Sequence, residues 1–197
     1  MRKLISILFI TMTAFTGVSH AHDSPVTVVE KYLDAVRNNE YDKAYSFISK
    51  TDTTIIRWLE LIKYVKEITP SRLTRIIDLA HNAARQEIGD TSAGSNTAIV
   101  KIHSVVPDME ETLRITQDPE EIQFLFEHRA FPVKDKSGEF TLIVEDGEWK
   151  ISRVKGVSSD QAADIATDFA ELILGRDEAE EINEKINAFI KRQEKGT

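Results

Sequence analysis

The sequence predicts an α+β fold in which N-terminal helices pack on an antiparallel sheet. From Pro25 to about residue 84, apolar residues recur at three- and four-residue steps, the period of an amphipathic helix. From residue 98 onward, apolar and polar residues alternate, the period of a strand. An Asp-Gly pair between two alternating runs is a strong hairpin signal. This order, with helices first and then strands that form a hairpin, is typical of α+β proteins.

Residues 1–21 have the pattern of a secretory signal peptide. A basic Arg-Lys pair precedes the apolar run Leu4–Gly17, and small residues Ser19 and Ala21 follow it. The apolar run is shorter than the roughly 20 residues that a membrane-spanning helix needs. We expect cleavage before His22 and a mature protein that does not span a membrane. A Gram-negative periplasm is the expected location, with full secretion as the alternative.

Charge and composition narrow the possible partners and chemistry. The net charge is −8, and it becomes −10 without residues 1–21, which hold two Lys/Arg and no carboxylate. Such an acidic chain is repelled by nucleic acid, so no nucleic-acid partner is expected. The chain has no cysteine, which excludes disulfides, thiolate chemistry and a lipoprotein anchor. No metal-binding cluster and no cofactor motif is recognisable.

Four helices are predicted before the strands. Ser24 and Pro25 are a typical N-cap and first helical residue. Further helices are predicted over Tyr41–Ser49, over Thr54–Ile68 and after Pro70. The third of these four helices is apolar over most of its circumference, so it must be buried on two sides or contact a ligand or partner.

Two hairpins are predicted in the sheet. The alternating strand 98–106 follows the turn Gly89–Asn96, which makes residues 83–88 its expected partner strand. The second hairpin spans 140–153, with Asp146 and Gly147 as its type I′ turn. Residues 107–137, between the hairpins, are interpreted as an insertion that covers part of the sheet.

Two helical segments follow from local signals. Within the insertion, Asp118 caps a short helix to about Glu127, with His128 at its C-terminus. Residues 157–197 form what we call the C-terminal arm, an amphipathic helical extension interrupted at Gly175. The predicted organisation is therefore a signal peptide (1–21), one domain (22–156) and the C-terminal arm (157–197).

Three segments resemble the nuclear transport factor 2-like superfamily. The segment Pro25–Ser49 resembles its first two helices, and Asn96–Val106 and Thr141–Val154 resemble its middle and final strands. The Gly147–Ile151 sequence GEWKI is similar to the secreted, small-lipoprotein-type branch, whose members are mostly of unknown function. This chain departs from that branch in lacking the lipoprotein cysteine, in its longer helices over 54–84, and in the C-terminal arm.

The resemblance implies a strongly curved sheet wrapped by helices, forming a cone with an apolar cavity. The third helix and the insertion are candidates to line it. The candidate ligand-binding residues are Tyr32, Tyr45, Trp58, Ile62 and Phe124.

Three functions are compatible with the sequence. The preferred one is an exported, non-catalytic binding or accessory module for a small apolar ligand, a lipid or a protein partner. The second is a cofactor-free isomerase or lyase, for which the resemblance implies a base such as Glu87 or His103 and a tyrosine donor from Tyr32, Tyr45 or Tyr64. The sequence spacing does not identify a particular pair of base and tyrosine, so no catalytic residue is assigned. The third is an assembly protein whose C-terminal arm forms a homodimer or docks on a larger protein assembly.

Overall fold

The computed structural model describes residues 23–155 and 170–195 and has an α+β architecture. Its helices are α1 (Pro25–Arg37), α2 (Tyr41–Ser46), α3 (Thr53–Ile68), α4 (Ser71–Ala83), α5 (Met109–Ile115), α6 (Pro119–Glu127) and α7 (Arg176–Lys195). Residues 170–174 are also helical. The strands are β1 (Arg85–Ala93), β2 (Thr97–Pro107), β3 (Val133–Glu145) and β4 (Glu148–Lys155). The predicted signal peptide, its cleavage site before His22 and the start of the C-terminal arm lie outside the described residues.

Side-chain caps fix where the helices begin. The Ser24 hydroxyl accepts a hydrogen bond from the Thr27 amide, and Pro25 occupies the first turn of α1, as predicted. Asp52 caps α3 by accepting from the amides of Thr54 and Ile55. Asp118 caps α6 in the same way. Each cap satisfies amides that have no partner within the helix.

The four strands form one antiparallel sheet in the order β1-β2-β3-β4. The predicted hairpin between β3 and β4 is confirmed, because Asp146 and Gly147 have φ of 54° and 83°. The sheet is not closed. β1 forms one edge, and β4 forms the other, where Ile151 makes an isolated parallel bridge to Ile48.

The first hairpin is longer than predicted. Most of the expected turn Gly89–Asn96 is strand, since β1 continues through a bulge between Ile88 and Thr91 as far as Ala93. The chain turns only over residues 94–96. β1 is an exposed edge strand, so it carries no alternating apolar pattern that the sequence could reveal.

The predicted insertion over 107–137 was too long. β3 begins at Val133, and the segment Lys134–Ser137 pairs with β2 over His103–Val106. The true insertion holds α5 and α6. The helix α5, which Asp108 caps, was not predicted from the sequence.

Two apolar cores share α3. The first core joins α1, α2 and the start of α3 to the sheet, with Val29, Leu59 and Leu142 fully buried. The second core joins the end of α3 to α4, α6, residues 170–174 and α7. It contains Leu61, Leu73, Ile76, Ile122 and Ile186. Of the two alternatives predicted for α3, the structure shows burial on two sides.

The C-terminal helix α7 packs on the rest of its own chain. Gly175, with φ of 87°, ends the helical stretch 170–174, and α7 begins at the next residue. Ile182 and Ile186 of α7 are buried in the second core. The Gln193 side-chain amide donates a 2.7 Å hydrogen bond to Glu60 of α3.

Candidate ligand-binding cavity

A cavity of about 1240 Å³ lies between the sheet and helices α1, α3, α4 and α5, and is partly open to solvent. Most of its lining is apolar. α3 contributes Trp58 and Ile62, α4 contributes Ile77, and α5 contributes Met109 and Leu113. α3 and α4 each contribute residues both to the second core and to the cavity lining.

The strand register sets the order of side chains along the sheet wall of the cavity. Residues directly opposite in antiparallel strands lie on one face of the sheet. Phe140 therefore shares the cavity face with its cross-strand partners Val100 and Val154. The next row is Ile102 with Gly138. These two residues are half-buried, whereas Val100 and Phe140 are buried.

A polar row follows these apolar ones. Ser104 of β2 lies opposite Gln86 of β1 and opposite Lys136 of β3. All three residues line the cavity. The row presents an amide, a hydroxyl and an ammonium group, each of which can donate hydrogen bonds. We call it the donor row.

The side chain of Tyr32 is a buried polar group at the opposite, apolar end of the cavity. Tyr32 is only 3% exposed, and its ring meets Phe140 edge-on with 5.8 Å between centroids. Burial, and then the nearby Asp52 carboxylate, raise the pKa of this phenol. Tyr32 is therefore neutral at any physiological pH, and its hydroxyl is available as a donor.

Within the described residues, neither the Tyr32 hydroxyl nor that of Ser104, which is 7% exposed, has a hydrogen-bond partner. Every described side-chain nitrogen or oxygen that is sealed from solvent does have one. Both hydroxyls therefore keep accessible surface, and we assign that surface to the cavity that both residues line. Buried polar groups are normally paired, so two such groups beside one cavity indicate a place for a polar ligand atom or for water.

Several charged groups on the cavity wall already have partners. Lys66 forms a 2.6 Å ion pair with Asp78, and Lys134 forms a 3.0 Å ion pair with Asp108. The carboxylate of Asp52 is held by its capping hydrogen bonds to α3. These groups shape the rim, but their charges are locally balanced.

The structure brings together three of the five predicted ligand-binding residues. Tyr32, Trp58 and Ile62 line the cavity, whereas Tyr45 and Phe124 are not part of its lining. Tyr45 packs at the margin of the first core, where burial and then Glu60 raise its pKa to about 12. Phe124 is 55% exposed on α6 and stacks on His128.

Sequence reasoning missed the donor row. Ser104 could have been predicted, because it alternates in phase with the buried Ala98 and Val100 of its strand. Lys136 could not have been predicted, because the polar start of β3 gave no strand signal. Its place on the cavity face follows only from pairing with β2.

The two candidate general bases of the enzyme hypothesis lie outside the cavity. Glu87 and His103 are cross-strand neighbours on the sheet face opposite Ser104, and neither lines the cavity. His103 lies 3.0 Å from the exposed Asp135 carboxylate. The one predicted histidine role that the structure confirms is that of His128, which caps α6 through a ring contact to the Phe124 carbonyl.

Within residues 23–155 and 170–195, no three or more His, Asp or Glu side chains are grouped so that they can hold a metal ion. No helix in the same part of the chain has the length and apolar character to cross a membrane. Comparison with protein-family models finds no match, and comparison with curated proteins finds none either.

Proposed function

We propose that this chain is an exported, non-catalytic binding module whose cavity holds a small, largely apolar ligand. The observation that carries the proposal is the partly open cavity of about 1240 Å³ with a mainly apolar lining. Ligand sites in proteins are concave, mostly apolar and hold a few fixed polar groups. The buried hydroxyls of Tyr32 and Ser104 are groups of that kind.

The experiment uses the neutral fluorescent probe N-phenyl-1-naphthylamine, whose emission rises in apolar surroundings. We expect saturable binding to the intact protein. Ile62→Trp places a bulky indole ring in the cavity and should weaken the binding several-fold. Glu67→Trp adds the same ring to an exposed position of α3 and is the matched control.

Circular dichroism of both variants checks that they remain folded. Binding that is unaffected by Ile62→Trp, or an absence of saturable binding to the parent protein, would overturn the proposal.

Export and fold family belong to the same proposal. The signal-peptide pattern of residues 1–21 supports a periplasmic location. The order of helices before an antiparallel sheet, with a cavity between them, supports a nuclear transport factor 2-like cone to which the C-terminal arm is an addition. A flat sheet in an experimental structure would contradict the cone.

One observation favours a cofactor-free isomerase or lyase as a second candidate. Asp52 and Tyr32 both line the cavity, and the Asp52 charge contributes to the raised pKa of Tyr32. Asp52→Asn keeps an N-capping side chain but removes the carboxylate base. Turnover of a candidate substrate that Asp52→Asn abolishes, in a protein of unchanged stability, would favour the enzyme over the binding module.

A further inference from the structure

We propose that the ligand is an anionic amphiphile, with its acidic head on the donor row and its hydrocarbon tail directed towards Phe140 and Tyr32. This inference rests on the proposed binding function and names the chemical class of the ligand. The shared chemistry is a single-chain molecule with a carboxylate or phosphate head.

The donor row is suited to an anion because its three side chains lie side by side on adjacent strands. Side chains directly opposite in antiparallel strands have Cβ atoms about 5 Å apart. An anionic head above Ser104 is therefore flanked by Gln86 on one strand and Lys136 on the other. Hydrogen bonds to an ionised group are stronger than those between neutral groups.

Lys136 differs from the other cations on the wall of the cavity. Lys66 and Lys134 are each paired with a carboxylate. Among the described residues, Lys136 has no ion pair or hydrogen bond, although Glu110 also borders the cavity. An unpaired ammonium beside an unpaired buried hydroxyl leaves both groups free for a ligand.

Three other cations border the cavity. Arg37 forms an ion pair with Asp34, and Arg153 and Lys155 do not belong to the inner face. The register pairs Arg153 with Thr141 and Lys155 with Glu139. These positions alternate with Phe140 and Val154, so their side chains leave from the opposite face of the sheet. Lys136 is thus the unpaired cation that the strand register places on the cavity face within the described residues.

The cavity wall next to the donor row is suited to a hydrocarbon chain. Phe140 follows Lys136 by four residue steps, which is about 13 Å along a strand. The intervening cavity-face position is Gly138, opposite Ile102. Facing this wall are Trp58 and Ile62 of α3. A head at the mouth therefore continues into an apolar channel rather than into solvent.

Amphiphiles with the same dodecyl chain length and different head groups test the inference. Each is used below its critical micelle concentration, and its affinity is measured by displacement of N-phenyl-1-naphthylamine. Dodecanoate should bind about tenfold more tightly than dodecanol, since a hydrogen bond to a charged group contributes more than a neutral one. Dodecyl phosphate should also bind more tightly than dodecanol. Whichever anion binds more tightly identifies the head as a carboxylate or a phosphate.

Lys136→Gln and Ser104→Ala should each reduce the ratio of the affinity for dodecanoate to the affinity for dodecanol. Lys101→Gln is the matched control, because Lys101 is an exposed lysine of β2 on the opposite face of the sheet. It should leave the ratio unchanged.

Affinities for dodecanoate and dodecyl phosphate that do not exceed the affinity for dodecanol, or equal effects of Lys136→Gln and Lys101→Gln, would overturn the inference. If the neutral probe binds but the anion has no advantage, only the ligand class is wrong. If the neutral probe does not bind, the binding function itself fails.

Discussion

Tyr64 of α3 stacks on Phe189 of α7, with 4.4 Å between the ring centroids and 11° between the ring planes. The two residues are separated by most of the chain, so this contact ties the C-terminal helix to the helical layer that also forms one wall of the cavity. Arg192 lies 6.0 Å from the Phe189 centroid on the same helix. Phe189 also packs against the second core.

Phe189→Ala should lower the free energy of unfolding by about 1–3 kcal/mol, because it removes a half-buried ring and its aromatic partner. Glu184→Ala, at an exposed position of the same helix, is the control and should change it by less than about 0.5 kcal/mol. Urea denaturation followed by circular dichroism measures both. Equal effects of the two substitutions would show that the stack does not stabilise the fold.

Gly147→Val should destabilise the protein by about 1–3 kcal/mol, because a β-branched residue is strained at the φ of 83° that this turn requires. Gly94→Val is the matched control. A Cβ at Gly94 meets its nearest atoms at 3.6 Å and 3.8 Å, which are ordinary contacts, and its φ is not positive. A melting temperature that falls equally in both variants would contradict the type I′ turn.

Stability should fall as the pH rises above 10. Burial raises the pKa of Tyr41 and Tyr45 from 10.0 to about 12, and raises that of Tyr32 as well. The unfolded chain therefore loses its phenolic protons before the folded protein does, and deprotonation favours the unfolded state from about pH 10 upward.

Absorbance of tyrosinate during an alkaline titration, together with urea denaturation at each pH, measures this effect. Tyr32→Phe should make the loss of stability smaller. Titration of Tyr32, Tyr41 and Tyr45 near pH 10 in the folded protein would contradict their burial.

The sequence predicted elements well where the signal is local. The N-caps Ser24 and Asp118 and the Asp146-Gly147 turn depend on residues within a few positions, so each could be assigned from a short segment. β3 over Lys134–Ser137 could not be assigned in this way. Those residues are polar, and only pairing with β2 makes them a strand.

The same distinction applies to the candidate site. Trp58 and Ile62 were predicted because α3 has more apolar residues than one core can cover. Phe124 was predicted because the insertion was expected to line the cavity, yet the buried side of α6 carries Ile122 and Phe126. The donor row depends on the register of three strands, which no single segment of the sequence encodes.

The exported protein should begin at His22. Ser19 and Ala21 occupy the positions where a signal peptidase requires small residues. Intact-mass measurement of the protein from a periplasmic extract should show loss of residues 1–21. Ala21→Tyr should block the cleavage, whereas Val18→Leu, outside the two recognised positions, should not. A mature protein that retains its apolar N-terminal run would contradict the export proposal.

The last prediction separates docking of the C-terminal helix on its own chain from assembly through it. Ile186 is fully buried among residues of α3, α4 and α6, so Ile186→Ala should cost about 2–5 kcal/mol. Truncation after Gly156 should expose the faces of Leu61, Leu73 and Ile122 and lower the melting temperature further. Sedimentation should show the intact protein as a monomer, because the apolar stripe of α7 is covered within the chain. If the intact protein sediments as a dimer while the truncated one keeps its full stability, α7 serves assembly, and the third function considered from the sequence replaces the first.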